Sequence, residues 1–177
     1  MKTRRSNTIL VTGGSNRIGK AIVQTLSLDS NNIIYYVSRN EGQFSSKNIN
    51  HIKCDLTDLD SLTKLITKVK NLKVDILINN AGTNIIKDFE DFKDSEINYL
   101  LDLNLIVPIK LCQAVIPNMI INNYGRIVNV GSIWNTVSKA QRSIYSVSKT
   151  GLIGLSRSLS VEYAKNNILV NTLSPGF

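Results

Sequence analysis

Tyr145 and Lys149 stand four residues apart, so on a helix they share one face. A free phenol, with a pKa of ~10, is a poor proton shuttle near neutrality, and a nearby ammonium favours the phenolate. With a carbonyl substrate and a hydride donor, such a pair could protonate a developing alkoxide. The spacing alone is weak, because six tyrosines and 14 lysines in 177 residues give roughly 0.5 such pairs by chance. The bland alternative is a solvent-exposed pair. A second segment with chemical potential is Thr12-Gly13-Gly14-Ser15-Asn16-Arg17-Ile18-Gly19, which runs from an apolar strand pattern into a helical one. Glycines there let the backbone turn tightly and let a pyrophosphate approach the helix N-terminus, where unpaired N–H groups and the helix dipole favour anions. A plain strand-to-helix turn is the alternative.

The elements that must position these residues follow from hydrophobic pattern. Short runs rich in Ile and Val predict buried parallel strands over Thr8–Thr12, Ile33–Ser38, His51–Cys54, Val74–Asn79, Arg126–Val130 and Ile168–Leu173. Helical stripes fall between them: Ile18, Ile22, Val23 and Leu26, then Leu59, Leu62, Leu65, Ile66 and Val69, the latter opened by an N-cap at Thr57 or Asp58. Long helices are predicted over Ser95–Asn122 and Ser143–Lys165. Regular alternation of strand and helix predicts one α/β domain, a doubly wound parallel sheet, over residues 1–177. Right-handed crossovers in such a sheet put ligands at the carboxyl ends of the strands.

Composition bounds the function. With 42% hydrophobic and 19% charged residues, 10 Gly and 3 Pro, collagen-like, disulfide-scaffold and disordered classes are excluded. Cys54 and Cys112 show no metal-ligand spacing, and no metal site is expected. The net charge of +8 comes partly from Lys2, Arg4 and Arg5 and partly from Lys64, Lys68, Lys70 and Lys73, which read as a basic tail and a solvated helix face. Aromatic residues make up only 6%, which argues against a nucleic-acid partner, whereas excess positive charge suits an anionic cofactor or substrate. Met1–Arg5 resembles the start of a signal peptide, but only Ile9-Leu10-Val11 follows in place of an apolar core. The apolar runs fall short of the ~20 residues of a membrane span. A cytoplasmic protein with no membrane partner is expected.

The glycine-rich segment resembles the Thr-Gly-x-x-x-Gly-x-Gly fingerprint of the short-chain dehydrogenase/reductase family, with Arg17 in place of the middle glycine, as in pteridine-reductase-like members. Cys54-Asp55-Leu56-Thr57-Asp58 resembles the family's Asp-Leu/Val-Thr-Asp motif beside the adenine, and Asn79-Asn80-Ala81-Gly82 its Asn-Asn-Ala-Gly motif beside the cofactor. Pro175-Gly176 resembles the Pro-Gly turn that borders the nicotinamide. The resemblance implies a Rossmann fold and a cofactor site made of Gly13, Ser15, Asn16, Arg17, Ile18, Gly19, Ser38, Arg39, Asp55, Leu56, Asn80, Ala81, Gly82, Tyr145, Lys149, Pro175 and Gly176. The second strand ends Tyr36-Val37-Ser38-Arg39, without the carboxylate that would accept from an NAD ribose 2′-OH. With Arg17 and Arg39 available to a 2′-phosphate, NADP(H) is expected over NAD(H).

The same resemblance implies a catalytic tetrad of Asn104, Ser132, Tyr145 and Lys149. Ser132 would hold the substrate carbonyl oxygen, Tyr145 would donate the proton, and Lys149 would tune Tyr145 and bind the nicotinamide ribose. Asn104 has a physical reason of its own. Pro108, four residues on, supplies no N–H, so the carbonyl of residue 104 would be freed and the helix kinked, leaving room for a relay water beside Lys149. The implied activity is an NADPH-dependent carbonyl reductase resembling the 3-oxoacyl-[acyl-carrier-protein] reductase type, with Lys139 and Arg142 placed to attract an acidic carrier protein. Sugar, steroid or pterin carbonyls are alternatives, as is a non-catalytic NAD(P)-binding protein. Family members continue past the position of Phe177 with a substrate-covering segment, a last helix and a seventh strand. The 177 residues are therefore expected to form a C-terminally incomplete version of the fold, homo-oligomeric if full length, with Ile168–Leu173 as an open edge.

Overall fold

The computed structural model describes residues 6–176, so the basic residues Lys2, Arg4 and Arg5 and the final Phe177 lie outside the described residues. Six strands form one parallel sheet: β1 (Thr8–Thr12), β2 (Ile33–Ser38), β3 (Ile49–Lys53), β4 (Ile76–Asn79), β5 (Gly125–Val130) and β6 (Ile168–Leu173). Their order, β3-β2-β1-β4-β5-β6, makes the sheet doubly wound, as the alternation predicts, and matches the Rossmann fold that the family resemblance implies. The reversal falls between β1 and β4, and there the glycine-rich turn and the Asn79–Gly82 segment leave adjacent strands.

Period-two alternation splits the strand side chains between two cores. Leu10, Val37, Leu77, Ile127 and Val170 meet α2 (Leu59–Asn71) and α4 (Val107–Ile121), with Leu155 and Leu159 of α5 (Ser143–Tyr163) packed beside them. Ile9, Val11, Ile34, Tyr36, Ile78 and Val130 face the other way, against Val23 and Ile22 of α1 (Arg17–Ser27). Of the predicted stripes, Val23 on α1 and Leu62, Leu65 and Val69 on α2 are buried, Ile22, Leu26 and Ile66 are half-buried, and Ile18 and Leu59, at the helix starts, are exposed. Asp58 caps α2 by accepting from the Ser61 N–H. Lys64, Lys68, Lys70 and Lys73 are exposed, as a solvated face should be.

β5 begins one residue earlier than expected, at Gly125, and α5 ends at Tyr163 rather than Lys165; three other elements differ for reasons the contacts show. The third strand begins at Ile49 rather than His51, because Ile34 pairs with Ile49 and the ladder runs down from there. The fourth begins at Ile76 rather than Val74. Before it, Asp75 uses its carboxylate to take the Thr8 N–H at 2.9 Å, and its own N–H goes to the Thr8 carbonyl. The long helix predicted over Ser95–Asn122 is α3 (Asp94–Leu101), a π-helical turn at Asp102–Ile106, and α4. Pro108 removes one donor, and the chain answers by widening the turn ahead of it, so that the Val107 N–H reaches back to the Asp102 carbonyl.

This helical run corrects one further reading. Among the described residues, Asp94–Ile121 is long and apolar enough to cross a membrane by length and composition alone. Half of its most apolar window is buried inside the molecule, with Leu111, Val115 and Met119 in the core against the sheet, as expected of the core helix of an α/β fold.

Candidate active site

A cleft lies along the carboxyl ends of the strands in two connected compartments of about 300 and 640 Å³, which share Gly13, Asn16, Ala81, Gly82 and Thr83. Its floor is built by backbone that has no room for side chains. Gly13 has φ +67°, and a Cβ at Gly19 would collide with the Gly13 carbonyl oxygen. Arg17 opens α1 at φ +46°, a left-handed conformation that costs a non-glycine residue and explains why a glycine suits this position. The Asn16 side chain makes no cap hydrogen bond to α1, and the first turn holds no acid. The positive end of this helix is therefore left to an external anion, and this cradle fits a dinucleotide pyrophosphate.

The sequence reading overlooked the residue that locks this cradle. Thr12 Oγ1 accepts from the backbone N–H groups of both Asn80 and Ala81 at 3.0 Å, while Asn80 Nδ2 donates back to the Thr12 and Gly13 carbonyls at 3.0 and 3.2 Å. The turn after β1 and the segment after β4 are thereby held as one unit.

The smaller compartment is lined by Ser15, Ser38, Arg39, Asn40, Asp55 and Leu56, with Thr83, Tyr99 and Leu103 closing its far side. These last three escaped the sequence reading: Tyr99 comes from α3 and Leu103 from the π-helical turn, where no local motif marks them, and Thr83 lies one residue past the Asn79–Gly82 motif. Asp55 accepts from Thr57 N–H and Oγ–H at 3.0 and 2.7 Å, and these bonds, helped by the Arg39 charge, hold its carboxyl below the usual range. Arg39 is exposed at the rim where β2 ends; β2 itself ends without an acid, and the carboxylate that lines this compartment is Asp55, just past the end of β3.

The larger compartment brings together Arg17, Ile18, Asn80, Ser132, Tyr145, Lys149, Pro175 and Gly176. Ser132 lies two residues past the end of β5 and accepts from the Trp134 N–H at 3.4 Å, while Tyr145 and Lys149 come from the first turns of α5. Lys149 is only 4% exposed; its Nζ donates to the Val130 carbonyl at 2.8 Å and lies 5.8 Å from the Tyr145 ring centre. Burial disfavours its ammonium form and pulls its pKa down from 10.5 to about 8. Gly82 lets this amine come close: a Cβ there would sit 3.2 Å from Lys149 Nζ and 3.1 Å from Asn104 Oδ1.

Asn104 does not line the cleft. It is fully buried in the π-helical turn, and its side chain accepts from the Thr83 N–H and donates to the Thr83 carbonyl, both at 2.9 Å. Its Nδ2 also donates to Ser148 Oγ at 3.1 Å, and that hydroxyl donates to the Tyr145 carbonyl. Asn104 thus fastens the Gly82–Thr83 segment to the turn of α5 that carries Tyr145 and Lys149. Its side-chain bonds, rather than the freed carbonyl and kink read from Pro108, are what the geometry displays. Among the described residues no cluster of metal-ligating side chains occurs, and Cys54 and Cys112 are free, buried thiols pushed up to about 11 and about 12 by desolvation.

A doubly wound sheet with a glycine-lined cleft and a Tyr–Lys pair at its mouth defines a dinucleotide-dependent oxidoreductase. The comparisons agree, since the model of the short chain dehydrogenase family matches residues 7–177, and the chain belongs to that family. It is an NAD(P)-dependent oxidoreductase of the short-chain type. It is 34% identical over 175 residues to the 3-oxoacyl-[acyl-carrier-protein] reductase of Escherichia coli, covering 95% of this chain and 72% of that one. The reductase of the same name from Rickettsia conorii is 37% identical over 175 residues, with coverage of 96% and 72%. Among solved structures, a short chain dehydrogenase family protein from Francisella tularensis superposes with TM-score 0.89 at 32% identity, over 97% of this chain and 69% of that one. A 4-hydroxyisoleucine dehydrogenase complexed with NADH superposes with TM-score 0.86 at 28% identity, over 96% and 75%.

The buried amine has a thermodynamic signature. With a folded-state pKa of about 8 against 10.5 for a free side chain, the charged Lys149 destabilises the fold fully below pH 8. That penalty fades between pH 8 and 10.5, where the folded state has released a proton that the unfolded chain still holds. Lys149→Met should raise the thermal midpoint most near neutral pH, and the gain should shrink across this interval in parallel melts. A gain that does not vary with pH would contradict the assignment.

Proposed function

We propose that the chain binds NADP(H) in preference to NAD(H) and reduces a carbonyl group, with a 3-oxoacyl thioester on an acyl carrier protein as the favoured substrate. The observation that carries the cofactor reading is the end of β2. Arg39 stands at the rim of the smaller compartment, Arg17 lines the larger one, and β2 ends without the carboxylate that would pair with a ribose 2′-OH. The acid of this compartment, Asp55, comes from just past the end of β3 and is tied to Thr57. A solved neighbour carries NADH, so the family fold alone does not choose, and the choice rests on these side chains. The 3-oxoacyl reductases of similar sequence support the substrate, as does the basic pair Lys139 and Arg142 on the segment leading into α5. A cytoplasmic homo-oligomer completes the reading, supported by Val147 and Val161 of α5, which are 58% and 82% exposed.

When bound, the nicotinamide supplies the hydride. Gly13, Ser15, Asn16, Arg17, Ile18 and Gly19 would hold the pyrophosphate at the start of α1. Ser38, Arg39, Asp55 and Leu56 would hold the adenosine half, with Asn80, Ala81, Gly82, Pro175 and Gly176 beside the nicotinamide half. Ser132 Oγ would donate a hydrogen bond to the substrate carbonyl oxygen. Tyr145 would give that oxygen its proton as negative charge develops there. Lys149, held by the Val130 carbonyl, would stabilise the charge left on Tyr145 and hold the nicotinamide ribose. Asn104 acts behind them through Ser148 and Thr83.

Two substitutions test this. Arg39→Asp should narrow or invert the preference for NADPH over NADH in fluorescence titrations, and unchanged selectivity would sink the cofactor reading. Tyr145→Phe keeps the ring and its packing, so folding and NADPH binding should survive while kcat for a 3-oxoacyl thioester falls by roughly 10²–10⁴. Turnover close to wild type would refute the role of Tyr145.

A further inference from the structure

We infer that His51, which lies outside the cleft, is a positioning residue for cofactor choice: its Nε2–H orients the Ser38 hydroxyl and fixes the Ser38–Asn40 turn against the NADP(H) 2′-phosphate. This rests on the NADP(H) reading above. His51 sits on the edge strand β3, opposite Tyr36 of β2, and its ring stacks on the Tyr36 ring at 4.8 Å between centres and 18° between planes. From that seat Nε2 lies 3.0 Å from Ser38 Oγ and 3.2 Å from the Ser38 carbonyl oxygen.

The direction of these bonds follows from inventory. A carbonyl oxygen only accepts, and the Ser38 hydroxyl already gives its proton to the Asn40 carbonyl at 2.7 Å. Nε2 must therefore carry the hydrogen, which fixes the tautomer. A hydroxyl has one proton, and an imidazole N–H donating into Ser38 Oγ turns that proton away from His51. It is then available to Asn40 in the free protein or to an anionic oxygen in the cleft, and the imidazole bond polarises it into a better donor. Ser38, Arg39 and Asn40 all line the smaller compartment, whereas His51 does not. The seat itself is braced, because Tyr36 OH accepts from the Gly42 N–H at 2.9 Å and Phe44 packs on the Tyr36 ring at 4.9 Å. A bare ribose 2′-OH gains little from this arrangement, since it is a weaker acceptor than a phosphate oxygen.

The experiment is a fluorescence titration of NADPH and of NADH against the whole chain and its His51 variants. His51→Phe keeps an aromatic ring on Tyr36 and removes the donor, and should weaken NADPH about 3–10-fold while changing NADH less than about 2-fold. His51→Gln, which can place an amide donor near the same point, should restore most of the selectivity, whereas His51→Asn, one methylene shorter, should not. The Gln and Asn pair carries the same contrast should the Phe variant fail to fold. Equal weakening of both cofactors would mark His51 as merely structural and overturn the inference. So would selectivity that persists in both the Phe and Asn variants. A wild-type chain with no preference for NADPH would overturn the cofactor reading first, and this inference with it.

Discussion

One desolvated charge organises the site. Lys149 Nζ is withdrawn from water, held by the Val130 carbonyl at 2.8 Å, and brought close to Asn104 and the Gly82 backbone. An amine in that setting gives up part of its hold on the proton, which is why its pKa falls to about 8 and why it suits a proton-transfer site at ordinary pH. Such a group costs stability and is tolerated because several elements fix it at once: the end of β5 supplies the acceptor, α5 the stem, and the loop after β4 the close wall.

The rest of the fold reads as support for that placement. Thr12 ties the turn after β1 to the segment after β4, and so holds Gly82 where the amine needs a residue without a side chain. The π-helical turn at Asp102–Ile106 places Asn104 so that it bonds both Thr83 and Ser148, and Ser148 in turn bonds the Tyr145 carbonyl. A regular α-helix over the same residues would carry Asn104 at a different angle. Deeper in the core, Asn79, Asn129 and Ser156 form a buried relay at 2.8 and 2.9 Å that anchors α5 to β4 and β5.

Much of this was legible in the sequence where the signal was local. β1, β2 and β6 fall on the predicted residues because each is an apolar run bounded by polar or turn residues. The residues expected at the cofactor site line the cleft because glycine turns and strand ends sit at fixed offsets from those runs. What sequence did not disclose depends on contacts across the chain. Thr12 reaches residues 68 and 69 positions away, and Ser148 meets Asn104 across 44. β3 starts two residues early because Ile49, Asn50 and His51 sit on an edge strand, where half-polar alternation hides the pattern. The interruption before Pro108 was foreseeable, but whether the chain would kink or widen into a π-turn depended on partners supplied by Thr83 and Ser148.

The account depends most on the state of the Lys149 amine, and that can be read directly. Lysine side chains labelled with ¹³C at Cε can be followed by NMR across a pH titration, with Lys149→Met assigning the signal. The account predicts one resonance, absent from the variant, with a midpoint near 8 while the free side-chain value is 10.5. A Lys149 resonance titrating with the exposed lysines near 10.5 would contradict it.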